Sequence, residues 1–254
     1  MDKDTGDKTA TAAAGLEHID TTERGATIGE QRQTLDRRLF MQLLVLRAPS
    51  ASRAASLVAP LQAALQAAAC PAVIYADVND PAALGLLSWS EAPAHFATTL
   101  RTVLADPRFE ALRPDPAFSM LGRSYSTGHE PNLAYWLLDK PKENVLREDC
   151  PWAVWYPLRR HGSFEKLSPR DKGSILKEHG MIGRAYGAQD LAHDVRLACH
   201  GLDLADNEFV IGLIGKELFP LSHVVQRMRS TRQTSEFIAK MGPFFIGHVV
   251  ARVP

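Results

Sequence analysis

Trp152-Ala153-Val154-Trp155-Tyr156-Pro157-Leu158-Arg159-Arg160 is the stretch on which the fold turns, together with the segment Pro169 to Tyr186 behind it. The nine residues are aromatic, branched and short enough for one extended strand. Alternation along it places Trp152, Val154, Tyr156, Leu158 and Arg160 on one side. Pro169 to Tyr186 carries helical spacing instead. Within Leu176-Lys177-Glu178-His179-Gly180-Met181-Ile182-Gly183-Arg184-Ala185-Tyr186, the face built from Ile175, His179, Ile182 and Tyr186 follows i, i+4, i+7, i+11. Lys177, Glu178 and Arg184 fall on the other faces, so the imidazole points inward while the charges stay in water.

The same strand and helix pattern recurs on both sides of this stretch. His193 to His200 and Glu208 to Gly215 read as strands, Phe219 to Arg229 as a helix, and Phe244 to Val253 as a closing strand of bulky and β-branched residues. Leu133 to Leu138 reads as an extra strand in front. In the first half, Arg38 to Arg47 is a buried strand and Ser52 to Ala69 an Ala- and Leu-rich helix capped by Ser52, interrupted by Pro60. Ala72 to Val78 and Ala83 to Ser90 form a hairpin around Asn79-Asp80-Pro81. Ala92 to Leu104 is a helix, and Ala117 to Tyr125 is extended. Each half therefore spells βαββαβ, which predicts an α+β chain of tandem ferredoxin-like units of the dimeric α+β barrel type. The expected divisions are a tail over 1–33, a first unit over 34–130 and a second over 131–254. The tail, with few large apolar residues, has too little to bury to offset the entropy of ordering it.

Composition narrows the function classes. With 29 basic and 29 acidic residues in 254, the formal charge is zero, and no long basic run marks a nucleic-acid or membrane-surface partner. Cys70, Cys150 and Cys199 are odd in number and without a CxxC, which fits reduced thiols in a cytoplasmic protein. The N-terminal segment has neither signal-peptide nor membrane-span character. GxGxxG, P-loop, nucleophile-elbow and HExxH motifs are absent, so nucleotide binding, serine hydrolysis and zincin chemistry lose their usual signatures.

Three features invite chemistry. An inward histidine such as His179 needs a partner, which is most commonly a backbone carbonyl and otherwise a carboxylate or a metal. Tyr156 shares a strand face with Arg160, an arrangement suited to an anionic ligand but equally to a core tyrosine with a satisfied hydroxyl. Met228-Arg229 ends a helix, where an arginine ordinarily complements the helix dipole and alternatively binds a carboxylate. Asp194 and Arg196 share one face of their strand, as they would on a watered edge.

The blocks Trp155-Tyr156-Pro157-Leu158-Arg159-Arg160, Lys177-Glu178-His179-Gly180-Met181-Ile182-Gly183-Arg184-Ala185-Tyr186, Gly201-Leu202-Asp203, Met228-Arg229 and Gly242-Pro243-Phe244-Phe245-Ile246-Gly247 occur in one order over about 100 residues. In that order they resemble the chlorite dismutase family, and within it the coproheme decarboxylases. The first half matches in pattern only. The resemblance implies that His179 is the proximal ligand of a haem b or coproheme iron, with Ile182 beside it. It implies that Tyr156 lies near the reacting propionate as a redox-active phenol, and that Arg160 and Arg229 stand where family members place cations near the pocket. The position of the family's distal residue falls on Asp194, with Arg196 on the same face; His129 or Asn132 would stand nearest to the distal histidine of another branch. Tryptophans of the family hairpin are replaced here by Asn207 and Phe209.

The expected activity is peroxide-dependent decarboxylation of iron coproporphyrin to haem b, with hydrogen peroxide as co-substrate and a homopentamer as the family's common assembly. A chlorite-decomposing or peroxidase enzyme, a haem-binding protein without turnover, and a metal-free relative remain as alternatives.

Overall fold

The computed structural model describes residues 18–254. Its first elements correct the expected tail: β1 (Glu23–Ile28) and β2 (Gln31–Leu35) pair antiparallel around Gly29, whose φ of 61° suits the turn. Residues 1–17 of that expectation lie outside the described residues. The hairpin has little apolar surface and is held by polar groups distant in sequence. The Glu23 carboxylate meets Arg38 and Arg123, each at 3.2 Å, and the Gln33 side chain bridges the Glu130 carbonyl and the Leu133 amide at 3.0 Å each. No local periodicity announces such contacts.

The first unit then runs β3 (Phe40–Arg47), α1 (Ala51–Ala67), β4 (Ala72–Asp77), β5 (Ala83–Ser90), α2 (Ala94–Ala97), α3 (Thr99–Leu104), β6 (Arg113–Pro114) and β7 (Met120–Arg123). Ser50, not Ser52, caps α1, its hydroxyl accepting from the Arg53 amide at 3.2 Å; the helix continues through Pro60. The expected strand at Leu133 to Leu138 is also corrected. Tyr135–Asp139 is a π-helical turn leading into α4 (Lys140–Leu146), because Leu133, Leu137 and Leu138 bury together only when wound on one side.

The second unit runs β8 (Trp152–Arg160), α5 (Pro169–Ala188), β9 (His193–Ala198), β10 (Phe209–Gly215), α6 (Leu218–Met228), α7 (Arg232–Phe237), β11 (Ile238–Met241) and β12 (Phe245–Val253). Ser168 caps α5, accepting from the Asp171 amide at 3.2 Å, with Pro169 in the first turn, where its missing N–H is harmless. The turn α7 and strand β11 lack a strong sequence pattern and are additions to the expected order.

The two units do not stack sheet on sheet; they join edge to edge. β8 pairs with β10 and β12, β12 with β4, and β7 with β9 at Arg123 opposite Ala198, so eight strands close in the order β8-β10-β9-β7-β3-β5-β4-β12. Closure removes the open edges that a pair of separate sheets would expose. The barrel interior is a packed core of Met41, Leu43, Tyr75, Leu87, Trp155 and Phe245. Two glycines make room for its rings: a Cβ at Gly212 would lie 2.6 Å from Trp155, and one at Gly85 would fall 2.3 Å from the Phe245 ring. Helices cover the outside, α1 and α3 over the first unit and α5 and α6 over the second. The three cysteines are free and buried, and among the described residues no helix is long and apolar enough to cross a membrane.

Candidate functional site

Sheet register assembles the site on the outer face of the second unit. Directly opposed residues in antiparallel strands point the same way. One row therefore runs Arg196, Ile211, Tyr156; the next runs Asp194, Leu213, Val154; a third runs Ala198, Phe209, Leu158, Met241. Val154, Tyr156 and Leu158 pack with Tyr186, Leu221 and Val224 under the helices, whereas Ala153 and Trp155 point into the barrel. The alternation read from the sequence thus places Tyr156 on the helical side.

That side is incompletely filled. Ile175 and Tyr186 are buried on α5, but His179 and Ile182 between them are only half-buried, as are Phe209, Ile211, Ile238, Met241 and Ile246 across the gap. The main neighbours of α5 are β9, α6 and α7 rather than β8 and β10. Glycines keep its surface bare beside His179: a Cβ at Gly180 would meet nothing within 4 Å, and one at Gly183 only the end of Met228 at 3.6 Å. The Tyr186 hydroxyl, 2.6 Å from His223 Nδ1, ties α5 to α6. The result is a partly exposed apolar surface beside α5 with polar groups around it, a composition that small-molecule sites share.

Several of those polar groups are distinguished by their surroundings. Tyr156 is buried and stacks on Phe244 with ring centroids 4.7 Å apart. Burial drives its phenol well above the usual range, Asp194 adds to this and Arg229 opposes it, so both charges are within electrostatic reach of the ring. No hydrogen bond contributes to that balance, which leaves the hydroxyl available to a ligand. His179 places Nδ1 3.2 Å from the Thr231 hydroxyl. Burial lowers its pKa and the nearby Arg196 lowers it further, so the ring is neutral at pH 7. A neutral imidazole whose Nε2 is uncommitted can bind a metal. Among the described residues no group of three or more His, Cys, Asp or Glu side chains gathers as a metal cluster.

Asp194 and Arg196 form one ion pair at 2.9 Å, and Lys140 approaches Asp194 at 3.5 Å from the other side. Burial works to raise the Asp194 carboxyl, but Arg196 and Lys140 outweigh it and hold it below the ordinary carboxylate range. Arg196 keeps 40% of its side chain accessible, so this is a lined recess and not a sealed core pair. Arg160 is fully engaged. Its guanidinium meets Glu208 at 3.2 Å and Glu165 at 3.4 Å, and lies 4.3 Å and 4.8 Å over the rings of Phe164 and Phe209. Arg229, by contrast, has no carboxylate partner among the described residues.

The structure therefore sets Asp194 and Arg229 within electrostatic reach of Tyr156, pairs Arg196 with Asp194, and sets His179 and Ile182 on the covering helix. His129 is exposed in the loop that wraps Glu130, and the Asn132 side chain is spent capping the Tyr135 amide at 3.2 Å. Sequence reasoning missed Thr231, Lys140 and Tyr125. Lys140 follows the segment expected as a strand at 133–138, and it sits 3.9 Å over the Trp136 ring. Tyr125 packs on Phe209 at 5.5 Å and lines the recess with Asp194 and Arg196. Thr231 lies 52 residues from the histidine it touches, and nothing local signals the contact.

Residues 133–250 match the family model described as chlorite dismutase. This stretch, less than half of the chain, is similar to the chlorite dismutase family. A relative within reach of sequence comparison is the coproheme decarboxylase of Thermus thermophilus, 28% identical over 112 residues; the alignment covers 42% of this chain and 43% of the relative, less than half of either. Solved structures extend the likeness to the first unit. One, described as a novel heme-binding protein from Thermus thermophilus, superposes with a TM-score of 0.62 at 20% identity, covering 86% of this chain and 93% of its own. Another, chlorite dismutase from Candidatus Nitrospira defluvii in complex with imidazole, gives 0.63 at 12% identity, covering 84% and 91%. Such identities speak for a shared fold. The likeness in fold accordingly spans both units, while the family-model match lies in residues 133–250.

Proposed function

We propose that this protein binds an iron porphyrin in the cleft between α5 and the second sheet, and that it decarboxylates coproheme with hydrogen peroxide, converting two propionates to vinyls. The observation that carries this reading is His179, a neutral imidazole with Nδ1 engaged and Nε2 uncommitted, on a glycine-bared helix face above partly exposed apolar side chains. One imidazole is what the protein must supply to an iron whose equatorial positions are filled by its macrocycle. The apolar wall suits the porphyrin faces, and Arg229 supplies an unpaired cation for a propionate. Relatives carrying heme-binding and coproheme decarboxylase names support this choice of ligand.

When bound, the iron porphyrin supplies the oxidising power with peroxide; the chain supplies position. Tyr156 is held as the neutral phenol by burial, with its ring clamped against Phe244, so its proton stays on Oη at neutral pH. Holding a propionate against that hydroxyl is the positioning effect on which the rate depends. Arg160 belongs to this picture as a prop: its charge is consumed by Glu208 and Glu165, and it steadies the end of β8. A homopentamer in the cytoplasm is part of the same proposal.

Mixing the protein with iron coproporphyrin and peroxide should produce stepwise mass losses corresponding to two molecules of carbon dioxide. Tyr156→Phe should bind coproheme as before and lose decarboxylation by about a hundredfold or more, on the order expected for removing a directly reacting group; retained turnover refutes the assignment. A second reading, chlorite decomposition or peroxidase activity, is favoured by one observation: Arg196 lies in the same outward row as Tyr156. Oxygen release from chlorite would select it. Binding without any turnover would leave a porphyrin-handling protein.

A further inference from the structure

We propose that Thr231 is the positioning residue that sets the tautomer of His179, holding the proton on Nδ1 so that the Nε2 lone pair faces the cleft. The threonine hydroxyl has a single proton to donate. Thr231 Oγ1 lies 2.7 Å from the Met228 carbonyl oxygen, which has no proton to give, so the hydroxyl donates there. Its second neighbour, Thr234 Oγ1, is at 3.4 Å, a longer and weaker contact. What Thr231 turns toward His179, at 3.2 Å, is therefore a lone pair, and Nδ1 must be the donor.

Two further features show that this hydroxyl is committed. Thr231 is 1% exposed, which leaves no room for water to exchange the partners. It also occupies the N-cap position of α7, where a threonine hydroxyl ordinarily accepts a hydrogen bond from the next turn, yet it makes no such capping bond. The side chain is turned from its usual local task toward α5. Its backbone is fixed independently, because the Thr231 carbonyl accepts from the Ser235 amide and the Ser235 hydroxyl, each at 2.9 Å. A free histidine favours the opposite tautomer, with the proton on Nε2, which blocks that nitrogen as a metal ligand. Partners that orient a ligand ring through its other nitrogen commonly shift metal affinity by about 10- to 100-fold.

This inference rests on the iron-porphyrin reading for its purpose but not for its first test. Nitrogen-15 NMR of the full chain without porphyrin, at about pH 8, where an imidazole is neutral, should show His179 with a protonated Nδ1 and a bare Nε2. Thr231→Ser should keep that pattern, and Thr231→Val should move the ring toward the Nε2–H form. A wild-type ring already protonated on Nε2 overturns the proposal, whether or not the valine variant folds; so does a folded Thr231→Val with an unchanged ring. Titration with iron protoporphyrin, followed at the Soret band, is the second arm: Thr231→Val should bind about tenfold more weakly than wild type and Thr231→Ser about equally. An unchanged affinity in Thr231→Val overturns the positioning role while iron binding stands. Conversely, an Nδ1–H ring in a wild-type protein that shows no Soret shift supports Thr231 and refutes the proposed function instead.

Discussion

The two halves of this molecule share one topology and differ in what lies between helix and sheet. In the first unit α1 rests directly on the strands. Leu57, Leu61 and Leu65 are buried in a continuous cluster with Ile74, Leu84 and Leu86, and the space is full. In the second unit the corresponding helix, α5, is held by β9, α6 and α7, and a histidine, a half-buried isoleucine and glycines replace the leucine ridge. The same βαββαβ frame thus makes a closed core on one side and a partly exposed apolar face on the other. Folding requires the first kind of face, and a barrel interior packed around Trp155 lets the second face stay open.

The largest effect expected from this contrast is on stability. Leu61→Ala, at a position with 0% exposure, should cost about 2–5 kcal/mol in denaturant unfolding, because it leaves a cavity in a tight cluster. Ile182→Ala in the porphyrin-free protein should cost less than about 1 kcal/mol, since its side chain is only partly packed. Equal losses would break the contrast. The two arginines test it next. Arg160→Ala strips two carboxylates and two rings of their shared cation and should cost about 1–2 kcal/mol while changing porphyrin affinity little. Arg229→Ala should leave stability within about 0.5 kcal/mol but weaken coproheme binding by about tenfold. If Arg160 proves to be the affinity determinant, the propionate lies at the other end of the cleft.

The smallest effect concerns the junction between the units. Burial would raise the Glu130 carboxyl, but the hydroxyls of Ser126 and Thr127 and neighbouring amides overcome it and lower the pKa to about 2. A depressed carboxylate contributes stability that is complete above its unfolded value, about 4.3, and is lost as pH falls through the folded value. Unfolding of wild type should therefore ease progressively from about pH 5 to about pH 2. Glu130→Gln should be less stable at neutral pH and flatter over that window. An unchanged slope would mean the loop is held by its apolar neighbours.

Much of the frame was legible. The long elements β3, β4, β5, β8, α5 and β12 announced themselves through period, because each buries one face against a layer, and burial imposes periodicity on the sequence. The misread segments fail that condition. The β1–β2 hairpin is held by Glu23, Gln33 and their distant partners, and Leu133 to Leu138 has an apolar run short enough for either a strand or a helical turn. In the site, His179 and Tyr156 could be placed on their faces because α5 and β8 are regular. Arg160 and Arg229 looked alike in sequence, and only the presence of Glu208 and Glu165 beside one of them separates their roles.

By itself the sequence determined the order of the long elements, the inward face of α5 with His179, and the outward face of β8 with Tyr156. These follow from local periodicity, which backbone geometry enforces within a single element. Tertiary structure alone decided which strand edges pair to close the barrel, that Arg196 and Tyr156 fall in one row, and that the Thr231 hydroxyl meets His179. Each of those depends on register between strands or on contacts tens of residues apart, and no local pattern carries such information.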